Sequence, residues 1–251
     1  MFKRRNYESA RELYNGILER DPNNIDALTS KAYCLKYIAA AQSTGPSESL
    51  FQEVSGLYMQ ALAIDGTDIE ANFNLGSLYL QYNRELDKAL LAFQQCVAQN
   101  DESEYSELYR EQFAKAYYNM GLIYDKKGQA GPASENYKSA MDTCQQDPRG
   151  VLIRSATYKK AGTNYAVTLE KLNQRRDAVS TLQDIKGAFC NEIRVYNNLG
   201  IIQKRNSQFQ DAERNYKAAI EVDPKSFFPN YNLGILLAND LNKKEEALRY
   251  F

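Results

Sequence analysis

Tyr196-Asn197-Asn198-Leu199-Gly200 is followed, about a dozen residues on, by Ala212, then Tyr216, then Ala219. Steps of four and three put the last three residues on one face of a helix. The first segment fits a helix too: in an equivalent copy, Leu75, Gly76 and Tyr79 share a stripe. The pair reads as two amphipathic helices whose small residues meet. The backbones then approach closely, and an aromatic side chain fills the space beside them.

The same two signatures recur along the chain. The first appears as Asn72-Phe73-Asn74-Leu75-Gly76, Tyr117-Tyr118-Asn119-Met120-Gly121, Gly162-Thr163-Asn164-Tyr165-Ala166 and Asn230-Tyr231-Asn232-Leu233-Gly234, with a weaker copy at Leu28-Thr29-Ser30-Lys31-Ala32. The second appears as Ala89, Phe93, Cys96; Ala133, Tyr137, Ala140; and Ala178, Leu182, Ile185, with looser copies at Ala10, Tyr14, Ile17 and Val54, Tyr58, Ala61. Between units stand Asp21-Pro22-Asn23-Asn24, Asp65-Gly66-Thr67-Asp68, Asp147-Pro148 and Asp223-Pro224. Proline cannot continue a helix interior, so these mark turns into the next unit. Pro46 and Pro132 fall at predicted helix ends, and Pro229 lies in a first turn, where its missing N–H costs little.

This pattern resembles the tetratricopeptide repeat, whose period is 34. Ala166 to Gly200 and Gly200 to Gly234 keep that period. The intervals Ala32 to Gly76, Gly76 to Gly121 and Gly121 to Ala166 are 44, 45 and 45 residues. Their extra residues fall near 42–50, 101–113 and 142–153 and read as extended helices and longer connections. The resemblance implies an all-α fold: a right-handed superhelical solenoid of antiparallel helix pairs, with about thirteen helices over a single domain, 1–251. Its parts are an unpaired helix at 4–20, then repeats at about 25–66, 69–101, 104–148, 150–190, 193–224 and a truncated one at 227–251. Neither end carries a polar capping helix, so the chain reads as a piece of a longer protein.

Composition narrows the chemistry. The 251 residues carry a formal net charge of -1, which points to neither nucleic acid nor membrane. No apolar run approaches a membrane span, and the start, Met1-Phe2-Lys3-Arg4-Arg5, is unlike a signal peptide. Cys34, Cys96, Cys144 and Cys190 are few and scattered, as in reduced intracellular chains. Histidine is absent, which removes the commonest general base and transition-metal ligand. No Walker sequence, Gly-x-Gly-x-x-Gly or metal-ligand cluster appears. Acid pairs such as Asp101-Glu102 and Glu245-Glu246 read as helix-start or surface charges. No cofactor, no metal and no catalysis are expected of this chain.

Function is expected on the concave surface, which in such stacks is lined by the first helix of each unit. Two residues before each small residue, and facing that surface, stand Asn74, Asn119, Asn164, Asn198 and Asn232, with Ser30 in the weakest unit. An Asn amide donates and accepts, so a row of them can hold an extended chain by its backbone. The row resembles the asparagine ladder in the repeat domain of the O-linked N-acetylglucosamine transferase. The alternative is that each Asn bonds within its own repeat. Lys115, Lys160 and Arg194 stand six residues before the small residue in three successive units, and Lys126, Lys171 and Arg205 five after it. The ligand segment expected there is acidic and salt-sensitive; Asp125 and Glu170 lie nearby to neutralise part of the charge, and the alternative is a solvated mixed-charge face. Phe73, Tyr118, Leu122, Val167, Ile201, Tyr231 and Ile235 are apolar positions on the same surface and equally suit a captured helix. The clamp by which chaperone-binding members hold an Hsp70 or Hsp90 tail is not met in any three consecutive units. The expectation is a protein-binding scaffold within a multiprotein complex, in the cytosol or nucleus; ciliary transport complexes also use the fold. The alternative is the substrate-docking arm of a larger transferase, phosphatase or ligase.

Overall fold

The computed structural model describes residues 2–40, 47–82, 85–100, 107–145, 155–189 and 191–251. Pro46, Asp101-Glu102, Asp147-Pro148, Cys190 and most of the residues that lengthen the three long intervals lie outside them. So do the repeat boundaries placed at 101, 104, 148, 150 and 190. Among the described residues there are thirteen α-helices and no strand: α1 (Phe2–Arg20), α2 (Ile25–Ala40), α3 (Glu48–Ile64), α4 (Ile69–Gln81), α5 (Leu86–Val97), α6 (Arg110–Lys126), α7 (Ala130–Gln145), α8 (Ala156–Lys171), α9 (Arg175–Ala188), α10 (Ile193–Arg205), α11 (Phe209–Val222), α12 (Phe227–Ile235) and the short α13 (Lys244–Ala247). Consecutive helices pack on each other from α1 to α5 and from α7 to α12. The contacts divide the chain into two compact units, residues 1–123 and 124–251.

The turns between repeats follow from one residue type. Asp21, Asp65 and Asp223 each accept the backbone N–H two residues on, from Asn23 at 3.2 Å, Thr67 at 2.8 Å and Lys225 at 3.0 Å. A short acid side chain thereby closes the turn that Pro22, Gly66 or Pro224 bends. Two of the turns are also stapled from the next helix. Asn72 donates to the carbonyls of Gly66 (3.0 Å) and Asp68 (2.9 Å), and Asn230 to those of Pro224 (3.1 Å) and Ser226 (2.8 Å). Pro132 and Pro229 lie in the first turns of α7 and α12, where no N–H is missed.

The turns within repeats use the left-handed backbone. Gly128, Asn173 and Ser207 have φ of 73°, 62° and 59°. The next residue's N–H reaches back five positions: Gln129 to Tyr124 at 2.9 Å, Gln174 to Leu169 at 2.8 Å, Gln208 to Gln203 at 2.9 Å. This is the Schellman close of a helix. In the final repeat one extra residue separates the small residue from its turn, since Ser207 follows Gly200 by seven and Asn242 (φ 55°) follows Gly234 by eight. The extra residue is absorbed in a π-helical turn, Leu236–Asp240, and Lys243 N–H bonds Leu237 at 2.7 Å, six residues back.

The core is built from the small and bulky positions of the repeat. Ala89, Phe93, Ala133, Tyr137, Ala212 and Tyr216 are all fully buried or within 1% of it. One expectation is corrected. The nearest atoms to the glycine of the first helix belong to the ring four residues past the alanine of the second helix, not to that alanine. A Cβ on Gly200 would stand 2.5 Å from the Tyr216 ring, one on Gly76 3.0 Å from Phe93, and one on Gly234 2.7 Å from Phe251. The ring occupies the space that a side chain there would need, so it is the aromatic that demands a missing side chain.

Candidate functional site

In residues 124–251, α10 contacts both α8 and α12, so these three first helices are neighbours. They carry Asn164, Asn198 and Asn232, each half-buried. Asn232 Nδ2 donates to Asn197 Oδ1 of the preceding repeat at 2.9 Å. One of its two N–H groups is thus used between repeats, while its oxygen and second N–H keep their capacity. Asn74 and Asn119 sit, also half-buried, on α4 and α6 of the first unit.

The six basic positions are all exposed but not equivalent. Lys171 pairs with Asp125 at 2.9 Å and Arg205 with Glu170 at 2.5 Å. Each of these links one first helix to the next, and Lys204 to Asp240 at 3.2 Å continues the series. Asp125 also accepts the Tyr137 hydroxyl at 2.9 Å. Lys115 pairs with Glu111 one turn back, at 3.4 Å. Lys160 and Arg194 have no ion-pair partner among the described residues. Lys126, at the end of α6, is exposed as well. The acids next to the basic positions therefore balance Lys171 and Arg205, while Lys160 on α8 and Arg194 on α10 are exposed without an ion-pair partner among the described residues.

The first unit presents a different surface. Tyr7, Tyr33 and Tyr37 stack on one another, with centroids 5.0 Å apart for Tyr7 and Tyr37 and 4.5 Å for Tyr33 and Tyr37. The hydrogen bond with Tyr37, together with burial, pushes the Tyr33 phenol up to about 12. Beside them a cleft of about 520 Å³ is bounded by α2, α3, α4 and Lys115 of α6. Phe73, read from sequence as an apolar groove residue, lies in its wall, and so does Asn74. Lys36, Tyr33, Leu50 and Leu78 line it too and were not singled out by the repeat pattern. The available signal was a lone lysine inside the apolar run Tyr33-Cys34-Leu35-Lys36-Tyr37-Ile38. At the N-terminal ends of α2 and α4, Asp26, Asp68 and Glu70 gather negative charge. Burial first, then the neighbouring acids, raises the carboxyl of Glu70; burial likewise raises Asp68, partly offset by the N–H of Ala71.

Of the remaining apolar positions, Tyr118, Leu122, Val167, Ile201 and Ile235 are half-buried. Tyr231 is exposed and stacks on Phe227 at 5.6 Å. Among the described residues no group of three or more acids and cysteines is placed to hold a metal ion. No helix of the described residues is long and apolar enough to cross a membrane.

The tetratricopeptide-repeat family profile matches residues 114–147 and 193–226. No curated protein matches the chain. Among solved structures, the C-terminal part of a TPR repeat-containing protein from Cytophaga hutchinsonii is 14% identical with a TM-score of 0.69, covering 99% of this chain and 90% of that one. PilF of Pseudomonas aeruginosa is 14% identical with a TM-score of 0.62, covering 98% and 90%. YrrB, described as a TPR protein with an unusual peptide-binding site, is 20% identical with a TM-score of 0.58, covering 77% and 88%. Such a fold typically serves protein interaction rather than catalysis. With its recurring small and aromatic positions, its paired helices and these matches, the chain has the fold of paired helices seen in those proteins and carries tetratricopeptide repeats at 114–147 and 193–226.

Proposed function

We propose that the chain holds an extended, acidic polypeptide segment along its first-helix face, as a scaffold within a multiprotein complex of the cytosol or nucleus. Asn164, Asn198 and Asn232 pair with the segment's backbone, and Lys160 and Arg194 pair with its acids. In the first unit Asn74 and Asn119 serve the same purpose as those amides, and Lys115, though it leans on Glu111, adds positive charge beside them. Lys171 and Arg205 hold the spacing of the first helices through Asp125 and Glu170, and Lys126 extends the positive charge. The observation that carries the reading is the pairing of half-buried amides with unpartnered cations on the same neighbouring helices, α8 and α10. Lys171 and Arg205, by contrast, already have their counter-charges in Asp125 and Glu170.

The test is affinity capture with the full chain, followed by measurement of the purified partner against two variants. Lys160→Glu with Arg194→Glu should weaken binding at least tenfold at low salt and little at high salt, since screening already removes that attraction. Asn164→Ala, Asn198→Ala and Asn232→Ala together should weaken it at every salt concentration. Unchanged binding by both variants overturns the proposal.

A further inference from the structure

In the cleft of the first unit, Lys36 is half-buried, and burial pulls its ammonium below its ordinary pKa. It has no hydrogen-bond or ion-pair partner among the described residues. Its own helix supplies none: the residues three and four positions away are Ala32, Tyr33, Ala39 and Ala40. The other cation of the cleft, Lys115, already leans on Glu111. A lysine set among rings without a counter-charge loses hydration and gains nothing in return. A carboxylate brought to it in that low-polarity setting would interact far more strongly than at an open surface.

The surroundings specify what else such a ligand carries. Tyr37 and Phe73 face the cleft from α2 and α4, and the stacking of Tyr7, Tyr33 and Tyr37 fixes that wall in place. A preset apolar wall costs little ordering when a side chain lies on it. Asn74 borders both this cleft and an adjoining recess of about 360 Å³ that contains Glu70. It therefore stands where a chain passing from one to the other would present its backbone.

We infer that this cleft takes an extended segment of a partner protein in which an acidic side chain is flanked by an aromatic or aliphatic one. The carboxylate sits on Lys36, the apolar side chain lies between Tyr37 and Phe73, and the backbone passes Asn74. The inference rests on the protein-binding reading above and adds the subsite and the residue class it selects. It does not require Lys160 or Arg194.

The probe is a library of twelve-residue peptides displayed on phage with both ends joined to the display protein, so that the only carboxylates are side chains. Panned on the full chain, it should return sequences with Asp or Glu within two positions of Phe, Tyr, Leu or Ile. The best of these, synthesised with blocked ends, should bind Lys36→Met at least tenfold more weakly. Lys36→Arg should retain most of the affinity, and Asp→Asn in the peptide should add no further loss on the Lys36→Met background. Thermal unfolding of Lys36→Met should be unchanged or raised, which separates lost binding from lost fold. Selected peptides without an acid, or a change below threefold in Lys36→Met, overturn the inference. If the peptides depend on Lys160 and Arg194 but not on Lys36, this subsite falls while the wider reading stands. If no peptide is retained, both fall.

Discussion

Residues 1–123 and 124–251 use one repeat to make two kinds of surface. In the first unit the exposed part of the first helices is aromatic, with Tyr33 and Tyr37 each more than 40% exposed. Among its described residues, Arg11 pairs with Glu12, Lys88 with Glu85 and Lys115 with Glu111, all near neighbours in sequence. In the second unit the corresponding helices are laced together by charge: Asp125 to Lys171, Glu170 to Arg205, Lys204 to Asp240, and Lys159 to Glu192. The buried tyrosines differ in the same sense. The Tyr58 hydroxyl in the first unit has no hydrogen-bond partner among the described residues, while that of Tyr137 in the second donates to Asp125. The difference teaches that repeat identity sets packing, and that the variable positions decide whether neighbouring helices are tied by polar bonds or packed through rings.

The largest expected effect lies at the close-approach glycines. Gly200→Ala should destabilise the second unit by about 1–3 kcal/mol, because its Cβ meets a fully buried tyrosine ring that has nowhere to move. Gly76→Ala meets Phe93 at 3.0 Å, so relief of the helix glycine, worth about 1 kcal/mol, should offset most of its cost. Urea unfolding of both variants checks this; equal losses would remove the distinction in ring packing.

The hydroxyls rank beside them. Tyr137→Phe should cost about 1.5–3 kcal/mol, since it removes a bond to a carboxylate. Tyr58→Phe should be neutral or stabilising by about 1 kcal/mol, since it deletes a buried group that bonds nothing. A destabilised Tyr58→Phe would show that the first unit does satisfy this hydroxyl.

Lys171→Ala should cost about 0.5 kcal/mol at low ionic strength, in line with an exposed pair, and nothing measurable at 1 M salt. A salt-independent loss would mean that Lys171 acts through packing of its stem rather than its charge.

The smallest effect concerns pH. Glu70 has a folded-state pKa raised by burial and by Asp68 and Asp26. For a raised carboxyl, the unfolded chain releases its proton first, so folding is favoured at low pH and loses that contribution as pH rises through the folded value. Glu70→Gln should therefore raise the melting temperature slightly at pH 7 and not at pH 4. Glu213 behaves oppositely. Burial raises its carboxyl, but hydrogen bonds from Lys217 and Lys243 outweigh this and lower it, so its contribution is present at pH 7 and lost on acidification. Glu213→Gln should lower the melting temperature at pH 7 and lose its effect at pH 4. The same sign from both variants would contradict the contrast between the units.

The helix pairing, the interrepeat turns and the buried small and bulky positions were legible in the chain, because spacing by three and four commits a residue to one face whatever surrounds it. Asp followed by Pro or Gly likewise marks a turn wherever it occurs, since the bond it makes is local. The Asn row and the cations were legible as positions, and the structure places Asn164, Asn198 and Asn232 on adjoining helices. The extra residue in the last repeat was invisible to spacing alone; only the folded helix shows that it is taken up as a π turn. Which cations are balanced was decided by tertiary structure too. Lys171 and Lys160 look alike in sequence, yet one finds Asp125 from 46 residues away and the other finds no ion-pair partner among the described residues. Lys36 was hidden for the same reason. A lysine's environment is set by the helices that close around it, and no local pattern records whether they bring a counter-charge.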